Sequence, residues 1–502
     1  MAVLYNDYTR ARIGWFFGLS GLQLAIVAVS SVPVAWSVQQ GAWSSAVTFL
    51  TLWAAVTVVT VVPIRGRSAL GWAAASVTFA VGGLTGWSRF RARAATGRAA
   101  DLDDVDLPGV LAGIAIHDGP PVGVAGTRVA IIQNHADRTW AVTAAVVHPG
   151  IGMRDGPDRA RLGRGLTELL DQASRTELIT ELLFLVRTVP EDGAERDQWI
   201  AAHRRPDGPA QARVVNDDLQ QRLTHAAVRT EAFLTVVVPE TRLGKEAKES
   251  GGGLEGRARV LYSLLGEVEA HLAAGLGMTS VTWLTSPDLA AACRTGFAPG
   301  DRAAIIDALT SRDTDPGVHA TVPWAMAGPS GADPAARHYS HDAWNSICAA
   351  VTLPVKGAVM GALAPVLTPT EPGERRSYLV AYPVLTQSTA ARASATGQWM
   401  ADLGQALRDK AKVRHGTKAA DEADQVRLLE AKLARGNALT LPYAVCAVTV
   451  PKTARVAEAG RRLDAAVRRA GFAPLRLDLS QDTAFAAAAV PLGVSLTRGS
   501  DA

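Results

Sequence analysis

From Ile13 to Ile64 the chain contains no Asp, Glu, Lys, Arg or His, fifty-two uncharged residues in a row between Arg10/Arg12 and Arg65/Arg67. A bilayer core of roughly 30 Å takes about 20 apolar residues per helix, so this run predicts two membrane spans and a tight turn. The first span reads from Gly14 to Trp36 and the second from Trp43 to Ile64, joined by the polar, uncharged stretch Ser37 to Ala42. Trp15, Trp36 and Trp43 sit at the expected span ends, where amphipathic rings favour the headgroup level. Pro33 and Pro63 fall near span ends, where a lost backbone hydrogen bond costs least. A cleaved signal peptide is disfavoured, because the run is too long and no small-residue cleavage site follows the first span.

The arginines orient the hairpin. The turn carries no positive charge, while Arg89, Arg91, Arg93 and Arg98 add to the flank after the second span. Positive-inside logic therefore places both termini in the cytoplasm, as expected for a multi-pass protein of the cell (inner) membrane. A third apolar stretch, Gly71 to Trp87, lies between two arginine groups and is read as an interfacial helix rather than a third span.

Net charge is informative only when divided. Residues 1–100 hold eight Arg and one acid, whereas the remaining 402 residues hold 43 basic and 46 acidic side chains. The soluble part thus has no global basic excess and does not read as a nucleic-acid binder. The three cysteines, Cys293, Cys348 and Cys446, are far apart, odd in number and outside any zinc spacing, as expected for buried thiols in a reducing compartment. The richness in Ala, Gly and Arg fits an actinobacterial, high-GC source.

Past residue 99 the chain is expected to be an α+β body of ferredoxin-like units: a first unit over 100–204, a second over 205–330 and a C-terminal one over 331–502. Asp101 to Pro108 reads as an acidic linker. Strands are expected at 128–132, 140–147, 180–187, 232–238, 280–284, 377–382, 443–450 and 475–479. Asn134 to Arg138 reads as a hairpin loop. Helices are expected at 158–174, 211–229, 254–276, 391–413, 419–435 and 454–470. Gly244 to Gly253 reads as a flexible loop, and 311–337 as a long loop or boundary. The strand–helix–strand order over 443–479 is like that over 232–284, which raises two related half-units.

Little in the chain points to catalysis. No G-x-x-x-x-G-K-[ST], G-x-S-x-G or H-E-x-x-H occurs, and Gly244-Lys245 and Gly416-Thr417-Lys418 lack the rest of a phosphate-binding loop. His338 and His341 are read as a solvated loop, the acidic run Asp101 to Asp106 as a solvated linker, and Arg427/Glu430 as a surface ion pair. No catalytic residue, metal site or cofactor is expected.

The C-terminal stretch carries a pattern of its own. It runs from Leu428-Leu429-Glu430-Ala431-Lys432-Leu433 through the strand at Tyr443 to Val450, then Gly471-Phe472 and Leu475-Arg476-Leu477. It ends in Gln481-Asp482-Thr483-Ala484-Phe485 and Pro491-Leu492-Gly493. This resembles the segment that closes the N-terminal domain of the CagE/TrbE/VirB family of type IV secretion ATPases. The apolar hairpin resembles PrgI-type small membrane proteins, so the chain resembles an actinobacterial PrgI-like anchor fused to such a domain without the motor. The sequence stops nine residues after Gly493, where that family's motor begins, so the resemblance implies an anchor and docking platform rather than an ATPase. The expected partners are a separately encoded secretion ATPase and other membrane subunits of a multi-subunit conjugation complex. Gln481, Phe485, Pro491, Leu492 and Gly493 are candidates for the partner interface, since an exposed run this apolar marks one; an ordinary core helix is the alternative. A type VII secretion core subunit and a membrane-anchored enzyme are the rival functions.

Overall fold

A computed structural model describes residues 21–64, 67–124, 126–150, 154–190, 193–205, 207–226, 228–352, 358–386, 389, 436–440 and 442–496. The chain divides into two compact units, one of Asp7–Gly86 with Leu385–Leu439, the other of Met1–Asn6, Trp87–Val384 and Thr440–Ala502.

In the first unit, α1 (Gly21–Gln39) and α2 (Trp43–Val61) are joined by a turn at Gln40 to Ala42. The Trp53 indole N–H donates to the Val27 carbonyl at 3.0 Å, fixing one helix against the other. A short ladder, β1 (Pro63–Ile64) with β2 (Arg67–Ser68), leads into α3 (Ala69–Thr85). Among the described residues, α2 alone is both long and apolar enough to cross a membrane, and Ala25–Gln39 is a shorter apolar helix. The expected span residues Gly14 to Ser20 lie outside the described residues, as do the expected helices at 391–413 and 419–435.

The second unit is mixed α+β and is built on one antiparallel sheet of thirteen strands. Its first half runs β4 (Ile114–Val122), β5 (Thr127–Asn134), β6 (Thr139–Val147), α4 (Gly156–Arg175), β7 (Glu181–Pro190), α5 (Ala194–His203), α6 (Ala210–Ala226), β8 (Val228–Pro239), α7 (Glu240–Glu249), α8 (Gly253–Ala274), β9 (Ser280–Trp283) and α9 (Ser286–Phe297). After α10 (Arg302–Thr314) and α11 (Trp324–Ala327) comes the second half. It runs β10 (Gly331–Pro334), β11 (Tyr339–His341), β12 (Trp344–Thr352), β13 (Arg375–Pro383), β14 (Tyr443–Pro451), α12 (Val456–Arg469), β15 (Ala473–Arg476) and α13 (Gln481–Ala489). The edge strand β3 (Phe90–Arg91) pairs with β10.

The two halves share one wiring. In the first, β6 lies beside β8 and β8 beside β7, while β5 and β9 pair with opposite ends of β6. In the second, β12, β14, β13, β11 and β15 stand in the same relations. The registers agree as well: Thr139 faces Pro239 as Trp344 faces Pro451, and Ala144 faces Trp283 as Ala349 faces Arg476. Laid on these registers, Val142-Thr143-Ala144-Ala145-Val146 matches Ile347-Cys348-Ala349-Ala350-Val351, and Phe184-Leu185-Val186 matches Tyr378-Leu379-Val380. The halves meet where β7 pairs β13, and at that seam Leu185 faces its own counterpart Leu379.

Most expected elements form close to their expected bounds, because strong apolar runs of strand length or a helical stripe mark them. In α8 the expected Leu261, Leu264, Leu265, Val268 and Leu272 are all buried. Three expectations are corrected. Gly244 to Gly253 is no flexible loop: most of it is α7, which buries Leu243 and Ala247, and the chain then reverses through Gly251 and Gly252 into α8. Residues 311–337 are no featureless boundary, since they hold the end of α10, all of α11 and sheet strand β10. The break placed at 204/205 falls between β7 and β8, which pair along their length from Glu181 with Val237 to Pro190 with Val228. The polar connection that suggested a linker is the crossover between neighbouring antiparallel strands.

Helices cover both faces of the sheet. α9 and α13 share one apolar core with Leu183, Leu185, Phe233, Leu379, Ala381, Val445 and Ala447. On the other face α12 packs on Ile347, Ala349, Cys446 and Val448, while α4 packs on α8. The α4–α8 contact turns on two glycines: a Cβ on Gly165 would stand 2.2 Å from the Gly275 carbonyl oxygen. Gly165→Ala removes a poor helix former, a gain of up to about 1 kcal/mol. The backbone clash should outweigh it, giving a net loss of about 1–3 kcal/mol in urea unfolding of the full chain.

Candidate functional site

The candidate residues at the C-terminus form one device. After its polar first turn, Gln481 to Thr483, α13 is apolar on all sides, with Ala484, Phe485, Ala486, Ala487, Ala488 and Ala489 all buried, as a stretch without a polar face must be. Alanines let it lie close to the sheet. Gln481, 1% exposed, accepts from the Cys348 N–H at 2.7 Å and donates to the Cys348 carbonyl at 3.2 Å. Its primary amide thereby stands in for a neighbouring strand along β12. Phe485 is fully buried, with ring centroids 4.4 Å from His341, 5.3 Å from Tyr339 and 5.4 Å from Phe297.

Beyond α13 the chain becomes a strap over the first half. The Pro491 carbonyl accepts from Thr143 Oγ1 at 2.9 Å, and Thr143 Oγ1 lies 2.9 Å from Thr235 Oγ1. Gly493 takes φ +74°, and a Cβ there would press on Ala141 Cβ at 3.2 Å, so the strap needs glycine at this point. Ser495 donates to Glu181 at 2.8 Å, and the Tyr443 hydroxyl accepts from the Leu496 N–H at 3.0 Å. All five candidates are therefore inside: Gln481, Phe485, Pro491, Leu492 and Gly493 are buried. The run is a core helix with its strap, and the exposed-patch argument for a partner interface falls with it.

The functional geometry that sequence reasoning missed is an arginine. Arg187, 1% exposed on β7, donates from Nη1 to the Ala292 carbonyl at 2.9 Å and to the Ala489 carbonyl at 3.1 Å. One guanidinium thus ties α9, five residues before its end, to the last carbonyl of α13. Its Nη2 donates to Thr295 Oγ1 at 2.8 Å, and its Nε to Glu231 at 2.5 Å. Arg375, also buried, donates to the Thr295 and Gly296 carbonyls. Carbonyl ends of helices carry partial negative charge, so cations belong there. Burial alone would raise the Glu231 carboxyl, but Arg187, Arg375 and Arg302 overcome it and hold it at about 2. A lone Arg in a strand reading Leu-Leu-Phe-Leu-Val-Arg was the one available signal, since a charge there must find partners.

His341 corrects the solvated-loop reading, since Tyr339 to His341 is β11 and His341 is fully buried. Its Nδ1–H donates to the Phe297 carbonyl at 2.7 Å, which leaves Nε2 to accept from Ser346 at 2.8 Å. Burial drives its pKa down to about 3. His338 is on the loop before β11. In the acidic run, Asp106 accepts from the Arg93 N–H at 2.6 Å and pairs with its guanidinium at 3.4 Å. The three cysteines are free and buried, with burial raising their thiols, that of Cys446 to about 12. Arg427 and Glu430 lie outside the described residues. Among the described residues no three His, Cys, Asp or Glu side chains gather as a metal site. The small cavity beside α13 is lined by Phe90, Tyr339, Phe485 and Leu111 among others, with Asp482 as its single charged side chain, and one carboxylate alone is no acid–base pair. No protein-family model and no curated protein matches the chain.

Two outcomes follow from this junction. Arg187→Met strands the Ala489 carbonyl at the end of α13 and leaves the Glu231 carboxylate only the more distant Arg302 at 3.6 Å, so unfolding free energy should drop by about 3–5 kcal/mol. Arg187→Lys should rescue only part, because a point-like ammonium does not reproduce the fork. Unfolding titrations of the two variants test this.

Acid should also weaken the fold. The unfolded His341 takes up a proton near pH 6.5 while the folded one resists to about 3, so its stabilisation is complete above 6.5 and lost as pH falls toward 3. The slope for one such group is about 1.4 kcal/mol per pH unit. His148 and His338, lowered by burial, act in the same sense. Glu231 adds its loss only below 4.5. His341→Asn, the residue at the matching position Asn134, should flatten the limb between pH 6.5 and 5 in denaturant midpoints.

Proposed function

We propose that the chain is a non-catalytic, membrane-anchored subunit of a conjugative type IV secretion machine, which docks a separately encoded ATPase. The observation that carries this reading is the C-terminal device. The residues behind the family resemblance, Gln481, Phe485, Pro491 and Gly493, act together as a closing helix and strap over the sheet. They are the finishing piece of a domain, which is the place they hold in the resembled ATPases. Two further features support it. The sequence holds no phosphate-binding glycine loop with its Lys, on which nucleotide chemistry of this class depends. The apolar helices α1 and α2 follow each other across a tight turn, which suits the two-span reading, and the arginines flanking the uncharged run suit cytoplasmic termini.

Each half of the larger unit is read as a ferredoxin-like α/β unit. In support, numbering β6, β7, β8 and β9 from one to four gives the spatial order 4-1-3-2, and β12, β13, β14 and β15 give the same. α8 and α12 cross between the third and fourth strands, as in that motif.

The test is affinity purification of the tagged full chain from native membranes, with reporter fusions after Gln40 and Ala100. Recovery of a Walker-containing conjugation ATPase, an external signal at Gln40 and an internal one at Ala100 are expected. Small WxG partners with an FtsK-type motor would instead place the chain in a type VII machine, and an external signal at Ala100 would refute the hairpin.

A further inference from the structure

Because the two halves share one wiring, they provide an internal control for charge. The segment between β8 and β9 and the segment between β14 and β15 hold equivalent places in the wiring, each ending in a helix that packs on the strand after it, α8 on β9 and α12 on β15. From Glu240 to Trp283 five Arg or Lys stand against six acids; from Lys452 to Arg476 seven stand against two. The fold therefore does not require the basic character of the second segment.

The geometry of α12 puts that charge outside. Its inner side is Ala459, Gly460, Leu463, Ala466 and Val467. Outside, Arg455 is 84% exposed and Arg461 71%, and Lys452, Arg468 and Arg469 are exposed too. Both acids of the segment are already engaged. Glu458 lies between Arg455 at 3.3 Å and Arg461 at 3.8 Å, and Asp464 is held by Arg476 at 2.9 Å. Among the described residues, Lys452, Arg468 and Arg469 have no acidic partner. The helix dipole accounts for Arg468 and Arg469 in the last turn, but it opposes a cation at the N-cap, where Arg455 stands. Arg461 and Arg468 are two turns apart on one side of the helix, roughly 10 Å along it.

We propose that the outer face of α12, with the turn that leads into it from Lys452, is a docking surface for an acidic segment of a partner protein. Guanidinium forks pair with carboxylates in bidentate fashion, and an array on one helix suits a short acidic stretch. A nucleic acid fits less well. The 402 residues after Ala100 carry 43 basic and 46 acidic side chains, so a long polyanion meets a net negative unit beyond this one patch. The proposal stands independently of the secretion reading.

The test uses the full-length chain in nonionic detergent and a fluorescent peptide of about twelve residues, mostly Glu, followed by anisotropy. The comparison is Arg461→Glu/Arg468→Glu/Arg469→Glu against a control of equal charge change at exposed sites, Lys245→Glu/Lys248→Glu/Arg312→Glu. The expected result is saturable binding that weakens about tenfold or more in the α12 variant, under about threefold in the control, and falls with salt. The triple alanine variant of the same arginines, whose new residues favour helix, should show a smaller loss in the same direction and guards against misfolding. No saturable binding, or equal losses in the two charge-reversed proteins, would overturn the proposal. So would tighter, α12-dependent binding of a DNA duplex of matched charge or of phosphatidylglycerol vesicles, which would assign the face to those ligands instead.

Discussion

Arg187 is the interaction on which the larger unit turns. Two helices from different halves end at the same point, and a Cβ on Gly296 at the end of α9 would stand 2.9 Å from the Ala489 carbonyl of α13. Helix ends carry partial negative charge on their carbonyls, and both of these ends are buried, so cations must be supplied to them. Arg375 takes the Thr295 and Gly296 carbonyls of α9, and the Ala489 carbonyl of α13 falls to Arg187, a guanidinium always charged and rich in donors in one plane. Placing it on β7, at the seam of the halves, ties their central pairing to the packing of α9 and α13. The cost of burying that cation is offset by Glu231 at 2.5 Å and by Thr295, so the junction is a closed set of partners rather than an isolated charge.

The same face shows how the halves depend on each other. Arg375, from the second half, holds the end of α9, which belongs to the first. The strap after α13, from the second half, lies on Thr143 and Glu181 of the first. The second half thus supplies the strap that finishes the first, and the first supplies Arg187 to the end of α13. The strands form one continuous sheet because β7 pairs β13 along their length, from Glu181 with Pro383 to Thr188 with Arg376.

How much of this was legible in the sequence follows from which signals are local. The strands at 140–147, 232–238 and 443–450 are dense apolar runs, and α8 and α12 carry clear apolar stripes, so these were read correctly. β10 and β11 were missed because they are short and sit among Pro, Gly and Ala, with pairing supplied by distant neighbours. α7 was hidden behind the triple glycine that follows it. α13 was ambiguous for a physical reason: an alanine run with one Phe has the same composition on a partner surface and in a core, and only the sheet beneath it decides. Arg187 and His341 were the least legible, since their roles depend on carbonyls 105 and 44 residues away.

The strap has a consequence in time. Thr143 and Glu181 are covered by residues made much later, Pro491 lying 348 residues after Thr143 and Ser495 314 after Glu181. At a synthesis rate of about 5–20 residues per second, the first half waits roughly 10–40 s after its own last helix before that cover arrives. Through that interval its apolar face is open beside the ribosome. Growth conditions that slow translation of the second half lengthen the exposure without altering the folded protein at all.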